Sequence, residues 1–170
     1  MRSRKSKNFS DVDFEELYQD VILDHSRRPR NYGELPGADA RIHANNPMCG
    51  DDVTVHVKFG PENTVDAISF SGNGCSICIA SASLMTLKLG KKARTEVLKL
   101  MRDFNEMLTS EIESEPDKNL GDLRLLRGVR KFPLRVKCAT LAWHALGEAL
   151  GASRPPISEA DLSIQRDHGS

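Results

Sequence analysis

The stretch VTVHVKF, residues Val53 to Phe59, carries the clearest two-residue period of the chain. Apolar side chains at every second position indicate a β-strand with one buried face and one polar face, and His56 falls on the polar face. The turn sequence Gly60-Pro61-Glu62-Asn63 leads into a second strand, predicted for residues 64–70. With a weaker strand expected at residues 41–44, the pattern predicts an antiparallel sheet of about three strands.

Helical patterns lie on both sides of this predicted sheet. Apolar residues recur three and four positions apart in several stretches, and the predicted helices cover residues 13–24, 75–89, 94–108, 120–126 and 133–150. Residues 109–119 are acidic and are expected to form a loop. A hairpin followed by consecutive helices predicts an α+β fold, with a small antiparallel sheet packed against several α-helices.

The length of 170 residues and an apolar fraction of 39% fit one ordinary domain with a packed core. We expect that domain at residues 13–151, between a flexible N-terminal tail (1–12) and a flexible C-terminal tail (152–170). The 24 basic and 24 acidic residues cancel, which argues against a nucleic-acid partner. Because the sequence contains no apolar run of about 18–20 residues, no membrane association is expected. A cytoplasmic location is expected, where thiols stay reduced.

Chemistry is concentrated at four cysteines, which fall in three short clusters. Cys49 lies in a turn just before the alternating strand, with Asp51 two residues on; Cys75 lies at a strand-to-helix junction; Cys138 lies in the first turns of the last helix. If the helices pack on the sheet, these thiols and the carboxylate meet at one end of it. Three thiolates and a carboxylate suit a tetrahedral zinc ion, and an iron–sulfur cluster requires similar ligands.

Two other residues near these clusters can be interpreted in more than one way. Arg135 can balance the charge of an anionic metal site, and a second role for it is considered below. Cys78 completes a Cys-x-x-Cys sequence with Cys75, which is typical of a redox pair, but the order of elements favours a packed helix residue that is not a ligand. Each cysteine taken alone can also be a small buried apolar residue. The five histidines are expected to be ordinary surface or core residues and not ligands.

At these residues the chain resembles the U-type iron–sulfur cluster assembly family, which is IscU/SufU-like and related to the NifU N-terminal domain. The matching motifs run in order through most of the chain: LYQDVILDH (17–25), NPMCGD (46–51), GNGCSI (72–77) and KCATLAW (137–143). Two features resemble the SufU branch, namely the long segment 110–131 and Lys137, where IscU-type chains have a histidine. FPLRV (132–136) also departs from the chaperone-docking motif of IscU-type chains.

The resemblance implies a zinc-dependent sulfurtransferase that holds Zn²⁺ through Cys49, Asp51, Cys75 and Cys138. It implies a SufS-type, pyridoxal-phosphate-dependent cysteine desulfurase as sulfur donor, Cys49 as sulfur acceptor, and iron–sulfur assembly scaffolds downstream. Arg135 is expected to steady the detached Cys49 thiolate or to contact the partner. The alternative function is a scaffold that assembles a [2Fe–2S] cluster, or binds iron, on the same ligands. A third alternative is a Cys-x-x-Cys oxidoreductase.

Overall fold

The computed structural model describes residues 9–111, 115–151 and 163–167. The fold is α+β, as predicted: an antiparallel sheet packed against α-helices, in the strand order β4-β3-β2-β1-β5. The elements in chain order are α1 Phe9–Arg27, β1 Ala40–Asn46, β2 Asp51–Gly60, β3 Thr64–Asn73, α2 Ser76–Leu89, β4 Lys92–Ala93, α3 Arg94–Thr109, a 3₁₀ segment Lys118–Lys131, α4 Pro133–Leu150 and β5 Ser163–Asp167.

The alternating strand of the sequence is the centre of the sheet. β2 pairs with β1 on one side and with β3 on the other, and both pairings are antiparallel. Val53, Val55 and Val57 are fully buried and belong to the main core, because α2 and α4 cover that face of the sheet. The β1–β2 register pairs Asn46 with Asp51, so the connecting turn lies at the end of the sheet where the motif around Cys49 is located.

The expectation that His56 lies on a polar, solvent-facing surface is wrong. His56 is 3% exposed, and its Nε2 lies 3.1 Å from the Ser71 hydroxyl. β2 is flanked by strands on both sides, and on the β3 side Ser69, the partner of His56 in the register, donates its hydroxyl to the Gly33 carbonyl at 2.7 Å. Desolvation by burial is the largest cause that lowers the pKa of His56, and the nearby Arg41 adds to it.

Helices α2 and α4 pack side by side through small residues and a buried hydroxyl. The Ser81 hydroxyl donates to the Ala139 carbonyl at 2.6 Å and accepts from the Trp143 indole N–H at 3.0 Å. Both hydrogen bonds are buried, so they fix the relative position of the two helices as well as contributing stability. This packing brings the start of α2 close to the first turns of α4. No helix in the described part of the chain has the length and apolarity needed to span a membrane.

The segment Lys118–Lys131 differs from the predicted helix at 120–126. It consists of 3₁₀ helix on both sides of a kink at Gly121, whose φ of 57° and ψ of −131° are not helical. Four of its five buried apolar residues are spaced three apart, namely Leu120, Leu123, Leu126 and Val129; the fifth is Leu125. A period of three matches the 3.0 residues per turn of a 3₁₀ helix, in which these side chains line one face.

The three predicted strands form the main part of the sheet, two short strands are added at its edges, and two described elements reach into the segments predicted as tails. β4 is a two-residue strand beside β3, and β5 pairs with the outer edge of β1. Residues 163–167 therefore form a strand within the predicted C-terminal tail; backbone pairing to a sheet edge does not require the alternation that sequence analysis detects. α1 begins at Phe9, within the predicted N-terminal tail. The remaining tail residues, 1–8, 152–162 and 168–170, lie outside the described residues.

Candidate metal and sulfur centre

Cys49 is presented by the turn between β1 and β2. The backbone N–H groups of Cys49 and Gly50 both donate to the Asn46 carbonyl, at 3.1 and 3.0 Å. Gly50 adopts a φ of 73°, a left-handed conformation that glycine takes without strain and that turns the chain directly into β2. Cys49 is half-buried, so its thiol is both part of the site and open to a reaction partner.

Asp51 is the first residue of β2 and is 1% exposed. One carboxylate oxygen, Oδ1, accepts a hydrogen bond from the backbone N–H of Cys75 at 2.8 Å. The other, Oδ2, is buried and has no hydrogen-bond partner among the described residues. A buried carboxylate oxygen without a partner is costly unless a cation or a donor satisfies it, so this atom marks the inside of the site.

Cys75 precedes α2 as its N-cap residue, with extended backbone angles of φ −69° and ψ 167°. Gly74 allows this helix end to close on Asp51. A Cβ at position 74 would lie 2.9 Å from Asp51 Oδ1, closer than real Cβ atoms approach, and 3.1 Å from Cys78 Sγ, tighter than most Cβ contacts. The absence of a side chain at position 74 is therefore needed for the observed packing.

Cys138 lies on α4 and is 1% exposed. A carboxylate oxygen of Asp51 and the sulfur atoms of Cys49 and Cys138 lie within 4.8 Å of one another. Cys75 is outside that mutually close set, but its thiol is hydrogen-bonded to the thiol of Cys138. The structure therefore brings three of the four predicted ligands into one compact group, and Cys75 lies outside that group, in contact with Cys138.

The two thiols of Cys75 and Cys138 have opposite pKa shifts. The hydrogen bond from Cys138 is the largest cause that lowers the pKa of Cys75, to about 7, and the backbone N–H groups of Cys78 and Ile77 at the helix start add to it. The same hydrogen bond raises the pKa of Cys138, and burial raises it further. Cys75 is therefore the thiol that ionises first, with Cys138 donating its proton toward it.

Cys78 is beside the site and, like Cys75, is not part of the compact group of Cys49, Asp51 and Cys138. It is 1% exposed and part of the main apolar core, in agreement with the prediction of a packed helix residue. Burial raises the pKa of its thiol, and the negative charges of Asp51, Cys75 and Cys49 raise it further. Cys78 is therefore a neutral thiol at physiological pH.

The donor set fits a tetrahedral zinc ion. Three thiols and one carboxylate supply four ligands of the types that zinc prefers, and the carboxylate has a buried oxygen with no other partner in the described part of the chain. The same ligands are also of the kind that hold an iron–sulfur cluster. The chemistry of the donor set therefore supports a metal centre and does not choose between zinc and a cluster.

Arg135 is exposed on the first turn of α4, and it lines a groove of about 1150 Å³ beside the thiol site. Elements around the groove are α1, the start of α2, the 3₁₀ segment and the start of α4. The Tyr18 hydroxyl has its pKa raised mainly by burial, whereas the positive charge of Arg135 lowers it and Cys75 raises it. Arg135 therefore acts on this site from the groove, next to Tyr18, and is outside the group of candidate ligands.

The groove, the place of Tyr18 in its wall and the hydrogen bond between Cys75 and Asp51 were not predicted from the sequence. One signal was available for the groove, because the apolar Phe132 and the basic Arg135, which both line it, stand together at the start of a predicted helix. The structure leaves Phe132 59% exposed, and an exposed apolar residue of this kind indicates a surface with a binding role. The hydrogen bond gave no signal, because backbone donors are not visible in a residue pattern.

Comparison with known proteins identifies the family. Residues 17–139, most of the chain, match the family described as NifU-like N terminal domain. The chain belongs to this family. The prediction of an IscU/SufU-type iron–sulfur cluster assembly protein is thereby confirmed at the level of the family.

Individual members of this IscU/SufU family have two different functional names. The iron–sulfur cluster assembly scaffold protein IscU of Streptococcus pyogenes serotype M1 is 47% identical over 149 residues, which is 88% of this chain and 92% of that protein. The zinc-dependent sulfurtransferase SufU of Bacillus subtilis is 42% identical over 130 residues, 76% of this chain and 86% of that protein.

The fold of the family agrees with the structure. A crystal structure of a putative iron–sulfur cluster assembly scaffold protein for the SUF system from Fervidobacterium islandicum superposes with a TM-score of 0.71 at 30% identity. The match covers 79% of this chain and 97% of that one. The sheet and helices that position the site are therefore those of a family member.

Proposed function

We propose that this IscU/SufU family member is a zinc-dependent sulfurtransferase of the cytoplasm, which accepts persulfide sulfur from a SufS-type cysteine desulfurase for iron–sulfur cluster assembly. The observation that carries the proposal is the position of Cys49. Asp51 and Cys138 are each 1% exposed, whereas Cys49 and Cys75 are both half-buried. Of these two, Cys75 caps a helix, while Cys49 lies in a turn and belongs to the compact group with Asp51 and Cys138, so it is the ligand best placed to meet a partner protein.

A zinc ion bound by these residues would keep its thiol ligands deprotonated near neutral pH. Cys49 would leave the set with least rearrangement, because it lies in a short turn held through Asn46, whereas Cys138 lies within α4. Its thiolate attacks the outer sulfur of the partner's persulfide. The sulfur–sulfur bond of the donor breaks, the donor cysteine leaves as a thiolate, and Cys49 carries the transferred sulfur as a persulfide.

Arg135 is proposed to act in the encounter between the two proteins. It is exposed in the groove next to Tyr18, where its positive charge faces an approaching partner and the anionic thiol site. Exposed charges of this kind affect association more than they affect the stability of the fold. A role in the contact with the desulfurase is therefore proposed, and charge balance for the anionic metal site is the alternative.

A scaffold that assembles a [2Fe–2S] cluster is the second candidate function. The observation that favours it is the 47% identity to a protein named as a cluster assembly scaffold, slightly higher than the 42% to the zinc-dependent sulfurtransferase. Lys137, where IscU-type chains have a histidine, favours sulfur transfer, since a lysine offers no comparable cluster ligand. Under the sulfurtransferase proposal, assembly scaffolds are downstream acceptors of the sulfur.

The test is a desulfurase assay with the purified full chain. The wild-type protein is expected to accelerate sulfide formation from cysteine by a SufS-type desulfurase, and mass spectrometry is expected to find one additional sulfur atom on the peptide containing Cys49. Cys49→Ser should lose both signals, whereas Met48→Ala in the same turn (Met48 is 66% exposed) should keep both.

The colour and metal content of the purified protein separate the two candidate functions. A colourless protein with bound zinc supports sulfur transfer. A brown protein that holds a stable cluster and fails to accelerate the desulfurase overturns the proposal in favour of the scaffold.

A further inference from the structure

Cys75 and Cys78 form a pair of thiols of unequal accessibility at one helix end. Cys75 is the N-cap residue of α2 and is half-buried. Cys78 lies three residues later, on the first turn of the helix, and is 1% exposed. Side chains three apart on a helix are neighbours, and a Cys-x-x-Cys sequence at a helix start is the arrangement in which reversible disulfides form.

Cys78 lies directly behind the candidate metal site. Its Sγ and Asp51 Oδ1 are 3.1 and 2.9 Å from the same point, the position of a hypothetical Cβ on Gly74. The two atoms can therefore be no more than 6.0 Å apart. The backbone N–H of Cys78 is hydrogen-bonded to the Cys75 thiol, so the two cysteines are neighbours at this helix end, and Cys78 is not one of the four predicted ligands. The transfer chemistry proposed above does not use this thiol.

We propose that Cys75 and Cys78 form a reversible disulfide that unloads the metal site under oxidation by a peroxide. The Cys75 thiolate attacks one oxygen of hydrogen peroxide, the oxygen–oxygen bond breaks, and a sulfenic acid forms while the departing hydroxide takes a proton from solvent and becomes water. The sulfur of Cys78 then attacks the oxidised sulfur, its proton passes to the leaving oxygen, and the disulfide and a second water are formed. The two thiols are thereby oxidised by two electrons, which reduce one peroxide to two water molecules.

This inference rests on the metal site of the proposed function. Sulfur that is engaged in a disulfide is no longer a thiolate ligand. Formation of the pair therefore removes Cys75 from the four predicted ligands and leaves Cys49, Asp51 and Cys138 to hold the ion, which weakens its binding. Reduction of the disulfide restores the site. Without a thiol at position 78, the sulfenic acid is exposed to a second peroxide and proceeds to the irreversible sulfinic acid.

Cys138 is the competing partner, because its thiol is hydrogen-bonded to that of Cys75. Two features favour Cys78. Cys138 belongs to the compact group with Cys49 and Asp51, where a bound metal would engage its sulfur. Cys78 also lies on the same helix turn as Cys75, so this disulfide does not depend on how closely α2 and α4 remain packed during oxidation.

The disulfide can be mapped directly from the sequence. Residues 59–88 contain no lysine or arginine before Lys88, so trypsin places Cys75 and Cys78 in one peptide, while Cys49 and Cys138 fall in two others. Full-length protein, both zinc-loaded and metal-free, is treated with one equivalent of hydrogen peroxide, alkylated and digested. A Cys75–Cys78 disulfide appears as the single peptide 59–88 with both cysteines unalkylated and two hydrogens lost. A dominant cross-link between two peptides would overturn the proposal.

The second measurement follows zinc with a chromophoric chelator during oxidation and after reduction by dithiothreitol. Wild-type protein is expected to release zinc and to recover nearly full zinc binding. Cys78→Ser is expected to bind zinc equally well before oxidation but to recover several-fold less, with sulfinic acid at Cys75; equal recovery would overturn the proposal. If Cys78→Ser does not fold, Cys78→Ala replaces it. Disulfide mapping in the metal-free wild type needs neither zinc nor a desulfurase. It therefore tests the Cys75–Cys78 disulfide even if the protein proves not to be a zinc-dependent sulfurtransferase.

Discussion

The backbone N–H of Cys75 donates a hydrogen bond of 2.8 Å to Oδ1 of Asp51. This bond joins the start of α2 to the start of β2, two elements that meet only because the chain folds back between them. It fixes the orientation of the carboxylate, so that Oδ2 is turned into the buried interior without a partner in the described residues. Asp51 thus connects the packing of α2 and β2 to the proposed set of metal ligands.

Asp51→Asn tests the carboxylate as a ligand. The amide retains an oxygen that can accept the Cys75 N–H, but it removes the negative charge that binds zinc. We expect zinc affinity to fall by more than about tenfold, measured by competition with a chromophoric chelator, with little change in the circular dichroism spectrum. Asp52→Asn is the matched control, because the Asp52 side chain is 58% exposed and paired with His43 at 2.6 Å. Equal affinities of the two variants would contradict the ligand assignment.

Gly74→Ala tests the close approach between α2 and Asp51. The added Cβ would meet both Asp51 Oδ1 and Cys78 Sγ at about 3 Å, so the helix start must move away from the site. We expect lower zinc affinity together with a loss of about 1–3 kcal/mol in the free energy of unfolding, the usual cost of overpacking. Urea denaturation and chelator competition measure the two effects.

Gly128→Ala serves as the control for that variant. A Cβ at position 128 has no heavy atom within 4 Å, so its unfolding free energy should stay within about 0.5 kcal/mol of the wild type with unchanged zinc affinity. If Gly74→Ala behaves like Gly128→Ala, the packing around Asp51 does not limit the site.

Arg135→Ala tests the groove as the contact surface for the desulfurase. Because Arg135 is exposed and outside the candidate ligand group, we expect unchanged zinc content but a several-fold weaker apparent affinity for the desulfurase, with the effect diminishing at high salt. The readout is the concentration of this protein that gives half-maximal acceleration. Arg102→Ala, an exposed arginine on α3, should behave as the wild type. Loss of zinc from Arg135→Ala would instead indicate a role in charge balance at the metal site.

His25 predicts a pH dependence of stability. Its Nδ1 lies 2.7 Å from the Ser83 hydroxyl, it is 6% exposed, and burial is the largest cause that lowers its pKa, with Arg30 next. A folded-state pKa below the unfolded value of about 6.5 means that the unfolded chain binds the proton first. Stability is therefore complete above about pH 6.5 and falls as the pH decreases through that value, by at most about 1.4 kcal/mol per pH unit for this one group.

The measurement is urea unfolding of reduced, metal-free protein at pH 7.5, 6.5 and 5.5. His25→Gln should flatten the loss of stability between pH 7.5 and 5.5. It should not abolish that loss, since burial lowers the pKa of His56 as well. Identical pH profiles for the variant and the wild type would contradict this assignment for His25.

Sequence patterns predicted the parts of the fold that depend on side-chain periodicity. The alternation at Val53, Val55 and Val57 located the central strand, and the observed α4, Pro133–Leu150, has the predicted bounds. The pairing of β5 with β1 was missed because backbone hydrogen bonds at a sheet edge impose little pattern on side chains. The 3₁₀ geometry of residues 118–131 was recognisable only in retrospect, from buried residues every three positions.

The candidate site was predictable as a set of residues but not as a geometry. Turn, junction and helix positions indicated that Cys49, Asp51, Cys75 and Cys138 meet. In the structure, three of these residues form a compact group and Cys75 contacts it through Cys138. This arrangement depends on the packing of α2 against α4, which no local sequence pattern encodes. For the same reason, the hydrogen bond that orients Asp51 and the groove beside Arg135 required the folded structure.

The most direct test of the account is X-ray absorption spectroscopy at the zinc edge on the purified full-length protein, with its zinc content determined in parallel. The proposed centre predicts one zinc per chain, with three sulfur neighbours at about 2.3 Å and one oxygen neighbour at about 2.0–2.2 Å. A coordination shell of four sulfurs would mean that Cys78 replaces Asp51. That shell, or protein that binds no zinc at all, would contradict the central claim.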